Sequence, residues 1–225
     1  VVRLLIAVKS CHDDLDKGCH DTILETWGRG LPDLRFFVGC ERPTWGQTWY
    51  DVFHEKTIDI DVADDYDHLP QKTRRILQWS LEQGYDFTFL CDVDTFLEPD
   101  RLMKTGFEKY DYSGRFGSSP AIGSQFDFKD GRGIRHEHCH PWASGGFGYF
   151  LSRKAAQIVA NTESTMWAED MMVGDILGPK IISGEIKAAD LQHFENEASY
   201  HYPAHRFGWN RQRMQQWMRE MMYDL

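Results

Sequence analysis

The sequence predicts an α/β fold built on a mostly parallel, doubly wound central sheet. Short runs rich in aliphatic and β-branched residues alternate with helix-like segments in the order β-α-β-β-α-β over the first hundred residues, an order that favours parallel strands joined by crossovers. The chain is also globular in composition: 41% of its 225 residues are hydrophobic, enough to bury a sizeable core in one domain. Past residue 100 the pattern changes to a Gly- and aromatic-rich stretch, which predicts short strands with long loops.

The elements follow in order. VVRLLIAVKS reads as a buried first strand. DKGCHDTILETW places Cys19, Ile23 and Trp27 at helical spacing and predicts a helix stopped by Gly28 and Gly30. DLRFFVGC and KTIDIDV are the second and third strands. HLPQKTRRILQWSLEQGY predicts a long helix with Pro70 in its first turn and Gly84 beyond its end, its buried side carrying Ile76, Leu77, Trp79, Ser80 and Leu81. DFTFLCDVD is the fourth strand and runs directly into an acidic pair. RKAAQIVAN is a further helix, and WAEDMMVGDIL opens another. NRQRMQQWMREMM is an amphipathic helix that packs on the core rather than on a membrane.

Charge and cysteine usage exclude several classes. A formal charge of −10 argues against a nucleic-acid partner, while a metal-chelated anion remains compatible with it. No apolar run approaches the roughly 18 residues of a membrane span, and no basic-then-apolar signal segment opens this stretch, which leaves a preceding leader or anchor open. Cys11, Cys19, Cys40, Cys91 and Cys139 contain no C-x-x-C pair, so they read neither as a disulfide scaffold nor as a zinc site, with a single bridge still allowed.

Four segments carry candidate chemistry. Alternate side chains of a strand share a face, so Asp92 and Asp94 of CDVDTF would point the same way, too close to ionise comfortably without a cation. Two hard oxygen donors beyond the carboxyl end of a parallel strand suit Mn²⁺ or Mg²⁺ on a substrate phosphate; an acidic turn after a buried strand is the alternative. In HPWASGGFGYFLS, Trp142 offers a flat face for a sugar, and Ser144, Gly145 and Gly146 let backbone approach a ligand, unless they only form a turn. Glu169 and Asp170 open a helix, where they either cap it or set a general base in a cleft. His193, His201 and His205 crowd HFENEASYHYPAHRFG, where each is a packed residue unless a site requires one.

Taken in order, these pieces resemble glycosyltransferase family 31, the β-1,3-glycosyltransferases that include galactosyltransferases, N-acetylglucosaminyltransferases and the fringe enzymes. LLIAVKS with ILETWG, DDYDHLPQKT (residues 64–73), CDVDTF, ASGGFGYFLS, EDMMVGDIL and His201 in SYHYPAH are each similar to a motif of that family. The resemblance implies a GT-A fold, with a nucleotide-sugar half over 1–100 ending in D-x-D and an acceptor half over 101–225. It implies Mn²⁺ (or Mg²⁺) held by Asp92, Asp94 and His201 on the diphosphate of a UDP-sugar. Asp170 would be the catalytic base that takes a proton from a glycan hydroxyl, with inversion to a β-linkage. Glu169 would tune the site, Ser144, Gly145 and Gly146 would line the donor sugar, and Lys9 and Lys72 would lie near the nucleotide. The chain departs from the family where Cys91 replaces the first acid of a D-D-D run and where the helix before TWG carries Cys19, His20 and Leu24 in place of basic residues.

Rival readings are weaker. A phosphatase that ends a strand in D-x-D needs Thr or Val where Phe96 stands, and a calcium loop starting at Asp92 would need Gly at Leu97. A non-catalytic nucleotide-sugar-binding module of the same fold has no use for a base at Asp170. The resemblance implies the Golgi lumen behind a missing anchor for a eukaryotic source, and the cytoplasm for a microbial or viral one.

Overall fold

The computed structural model describes residues 2–40, 56–117, 121–191, 198–204, 208 and 210–223. Its centre is strand β1 (Leu4–Lys9), whose six residues are all buried. β1 pairs in parallel with β2 (Leu34–Gly39) on one side and with β4 (Phe87–Asp92) on the other, and β3 (Thr57–Ile60) extends the sheet beyond β2. β1, β2 and β4 are covered on both faces, which is why their runs are largely apolar, whereas the edge strand β3 alternates as Thr57-Ile58-Asp59-Ile60.

Across β4 the sheet continues through β9 (Tyr149–Ser152), β6 (Tyr112–Gly114) and β10 (Ala188–Asp190). β9 runs antiparallel to both β4 and β6, while β10 and β6 are parallel, so the seven-stranded sheet is mostly parallel as expected. Alternate residues of β1 serve two cores. Leu5 and Ala7 pack with Ile76 and Leu77 of helix α3 (Leu69–Glu82) and with Ala155 and Val159 of helix α5 (Arg153–Asn161). Leu4, Ile6 and Val8 pack toward Ile23, Met214 and Met218 on the other face. Helices on both faces make the doubly wound architecture.

Most boundaries match the sequence reading, including Pro70 at the start of α3 and Gly84 beyond it at φ 77°. One helix does not. The segment read as continuous from residue 16 is two short helices, α1 (His12–Asp16) and α2 (Cys19–Glu25), parted by Gly18 at φ 73°. A left-handed glycine whose N–H reaches back to the Leu15 carbonyl ends a helix, and this glycine does so before the apolar spacing can continue it. The carboxy-terminal helix expected from its amphipathic pattern, here Arg211–Met221, packs on α2 with Met214 and Met218 buried.

Two small sheets complete the fold. β5 (Thr95–Leu97) pairs antiparallel with β11 (Ser199–His201), and β7 (Phe126–Lys129) forms a hairpin with β8 (Arg135–Cys139). The first of them sets His201 opposite Thr95, next to Asp94. α4 (Pro99–Leu102) follows β5, and α6 (Glu169–Ile182) opens on the acidic pair Glu169 and Asp170. All five cysteines are free thiols, and among the described residues no helix is long and apolar enough to cross a membrane.

Candidate active site

The carboxyl ends of β1 and β4 open into a cavity of about 650 Å³. In-register pairing sets Lys9 beside Asp92, the last residues of the two strands. Lys9 is buried, with its ammonium 3.0 Å from Asp92 Oδ1 and donating to Glu169 Oε1. Burial alone would lower its pKa, but the charges of Asp92 and Glu169 overcome that and raise it. Glu169 also accepts from Tyr149 Oη at 2.7 Å and from Thr73 Oγ1 at 3.4 Å. Lys72 is likewise buried and tied, donating to the Ser10 carbonyl at 2.6 Å and to Asp64 Oδ1 at 2.7 Å. Neither lysine is a loose cation for a nucleotide: Lys9 is tied to Glu169 and Asp92, and Lys72 to Asp64.

The acidic pair is not a two-faced strand. β4 ends at Asp92, and Val93 and Asp94 form the turn into β5, so the side-chain alternation expected across DVD stops at its first residue. Asp92 turns to Lys9, whereas Asp94 Oδ2 lies 3.1 Å from Nε2 of His201. The expected trio of Asp92, Asp94 and His201 is therefore a pair plus a neighbour. Burial raises the Asp92 pKa, opposed by Lys9 and reinforced by the nearby Asp94 carboxylate; the hydrogen bond to Asp94 raises that of His201 against its burial.

Among the described residues no three His, Cys, Asp or Glu converge as a protein-only metal cage. A different donor set fits. Two ligands at right angles on an ion with bonds of about 2.1 Å stand about 3 Å apart, the separation of Asp94 and His201, and Mg²⁺-like ions take one or two carboxylates and complete their shell with substrate phosphates and water. Seven carboxylates and two lysines line the cavity, so a bare anion is repelled and a cation-chelated one is not.

Asp170 follows Glu169 at the amino end of α6 and is half-buried. Its Oδ2 accepts from the Gly145 N–H at 3.2 Å and its Oδ1 from Met171 N–H at 2.8 Å. Burial, and then the neighbouring Glu169 charge, push its pKa up to about 6, although both backbone bonds and Lys9 pull the other way. Ser144, Gly145 and Gly146 line the same wall. The two glycines leave room for side chains of the site itself: a Cβ on Gly145 would meet Glu169 Oε1 at 2.5 Å, and one on Gly146 the His201 ring at 2.9 Å.

Trp142 is the clearest correction. It lies outside the cavity lining, stacked on Phe126 at 5.8 Å between ring centroids and crossed by Phe128 at 5.5 Å, so it anchors the β7–β8 hairpin. The aromatic residues that do line the cavity are Tyr66 and Trp167. Both stand within stretches that the sequence marks, DDYDHLPQKT and WAEDMMVGDIL, but neither has a spacing that singles it out. Asp64, the partner of Lys72 and of His12, is a third residue that the sequence reading passed over. His193 and His205 lie outside the described residues.

No family model matches the chain, and no curated protein matches it in sequence. Solved structures do. A protein assigned as a nucleotide-diphospho-sugar transferase from Desulfovibrio desulfuricans G20 matches 84% of this chain over 80% of its own, at 11% identity and a TM-score of 0.48. One assigned as a glucose-1-phosphate thymidylyltransferase from Bacillus anthracis matches 98% over 96%, at 11% identity and 0.49. A glycosyltransferase involved in the glycosylation of the major capsid of PBCV-1 matches 96% over 99%, at 12% identity and 0.50. The fold is of the GT-A type. At such identities the likeness speaks for the fold, and the chemistry must come from the site.

Proposed function

We propose that the chain is an inverting, metal-dependent glycosyltransferase that moves a hexose or N-acetylhexosamine from a UDP-sugar to a glycan hydroxyl, in the β-1,3 manner of glycosyltransferase family 31. The observation that carries the reading is Asp170: a carboxylate with a pKa of about 6, oriented by two backbone N–H groups, on the wall of an acidic cavity at the carboxyl ends of parallel strands. The ordered resemblance of six motifs to that family supports the choice of donor and stereochemistry, and the GT-A-type fold is compatible with it.

Asp94 and His201 would hold Mn²⁺ or Mg²⁺, with Asp92 on the same cavity lining and paired to Lys9. When bound, the ion supplies Lewis-acid neutralisation of the charge on the departing UDP. Asp170 accepts the proton of the acceptor hydroxyl as its oxygen bonds to the anomeric carbon and the bond to the UDP oxygen breaks; attack opposite the leaving group inverts the centre. A pKa near 6 leaves this carboxylate ionised at neutral pH and more basic than an ordinary aspartate. The positive end of α6 favours its ionised form, and the Gly145 N–H fixes its direction.

The test is UDP release from a panel of UDP-sugars, with Mn²⁺ and with EDTA. Release that needs the ion, and that falls by about 100-fold or more in Asp170→Asn, is expected of a general base. UDP binding with no release under any condition would leave a nucleotide-sugar-binding module instead.

A further inference from the structure

We propose that Trp167 and Tyr66 form the acceptor platform of this site and that the acceptor they recognise is a pyranose ring. The inference rests on Asp170 as the base. The hydroxyl that gives up its proton must lie within hydrogen-bond reach of Asp170. Trp167 stands three residues before it on the same wall, and three residues of chain span at most about 11 Å, so a sugar seated on Asp170 brings its own ring or the next one to the indole.

The indole is fixed and has little polar capacity left. Its Nε1 donates to Asp130 Oδ2 at 2.6 Å, and the Arg132 guanidinium covers its ring at 4.0 Å from the centroid. Asp130 is itself anchored: Oδ2 accepts from His136 Nε2 at 2.8 Å, and Oδ1 from the N–H groups of Arg132 and Ile134 at 2.9 and 2.8 Å. Indole is a donor only through that nitrogen, so what Trp167 offers the cavity is apolar ring surface. Tyr66 stands across from it at 6.2 Å between centroids and is 66% exposed, a large aromatic at the cavity mouth with no place in either core. Arg132 joins the two sides, because it also pairs with Asp67 next to Tyr66.

Two aromatic surfaces held by a hairpin, with Asp65 and Asp170 lining the same cavity, match the two characters of a sugar: a C–H face for the rings and hydroxyls for the carboxylates. An aliphatic chain would meet those carboxylates unfavourably.

The experiment measures UDP release from the best UDP-sugar with and without methyl glycosides of galactose, glucose, N-acetylglucosamine and mannose, together with the thermal-midpoint rise caused by UDP and Mn²⁺. A methyl glycoside accelerates release in the wild type, and Trp167→Ala and the exposed Tyr66→Ala each raise its KM by about tenfold, with Trp167→Phe in between. The UDP-induced midpoint rise stays at its wild-type size in all three. Acceleration by no methyl glycoside, or an unchanged acceptor KM in both alanine variants, overturns the platform. A lost UDP response makes it a nucleobase platform and overturns it too. Absence of UDP release from every donor, acceptor present or not, overturns instead the transferase reading on which it rests.

Discussion

The floor and the rim of the cavity hold their charges differently. On the floor, the lysines are buried, Lys9 between buried Glu169 and part-exposed Asp92 and Lys72 against Asp64; at the rim, Arg132 pairs with Asp67 while both stay exposed. Between the two lie Asp94, His201 and Asp170, which no lysine or arginine neutralises by direct contact among the described residues. The difference teaches where chemistry is available. Ion pairs out of water fix the strand ends as a rigid base, and only the groups left without a cation of the protein's own can take a metal or a proton.

The largest effect should come from the floor. Lys9→Met leaves the buried Glu169 and the part-exposed Asp92 without their cation. Breaking a buried pair from one side costs about 3–5 kcal/mol, and water at Asp92, whose side chain is 36% exposed, places the loss toward the lower figure. Denaturant unfolding should show a midpoint lowered accordingly; a loss below about 1 kcal/mol would mean that water already reaches these carboxylates and that the floor is no more rigid than the rim.

Asp170→Asn comes next and should separate activity from stability. A loss of about 100-fold in kcat/KM corresponds to about 2.7 kcal/mol of transition-state stabilisation. Stability should move the other way. The folded pKa of Asp170 is raised to about 6, so its protonated form suits the fold: its contribution is fully present below the ordinary aspartate range and is lost as pH rises through about 6. Asn imitates the neutral acid, so the variant should melt above the wild type at pH 8, with about 2–4 °C for each kcal/mol gained, and lose that advantage at pH 4. Equal midpoints at both pH values would show that Asp170 titrates as an ordinary surface carboxylate.

A smaller effect follows from its neighbour. The acid limb of kcat/KM in the wild type should fall with a midpoint near pH 6, and Glu169→Gln should move that midpoint down, because burial remains while one adjacent negative charge is gone. Relative activity at pH 5 should then rise by about fivefold for a downward shift of one unit, because the ionised fraction there goes from about a tenth to about a half. An unmoved limb would assign the raised pKa to burial alone.

How much of this was legible in the sequence depends on range. β1, β2, β4, α3 and α5 could be read because largely apolar runs and punctuation such as Pro70 and Gly84 are local signals, and β3 because its Thr57-Ile58-Asp59-Ile60 alternation is one too. Asp170, Glu169 and Ser144 could be read because a helix start and a glycine turn declare their own geometry. What was not legible is tertiary. The two lysines become structural through strand register and a contact 62 residues away in the chain, from Lys72 to Ser10. Trp142 and Trp167 look alike as letters, and only the β7–β8 hairpin decides that the first packs beneath it while the second faces the cavity.

The smallest effect is the one that sharpens the contrast between floor and rim. Arg132 and Asp67 have side chains 42% and 68% exposed, so the attraction between them is screened by water and salt. A double-mutant cycle with Arg132→Ala and Asp67→Ala should give a coupling below about 1 kcal/mol, shrinking further in 1 M salt, where the screening length is about 3 Å. Arg132 also covers the Trp167 ring, so Arg132→Ala should raise the acceptor KM more than its stability cost suggests, while Asp67→Ala, which leaves that stacking in place, should raise it less. Equal effects of the two variants on KM would mean that the ion pair, and not the stacked guanidinium, holds the indole in place.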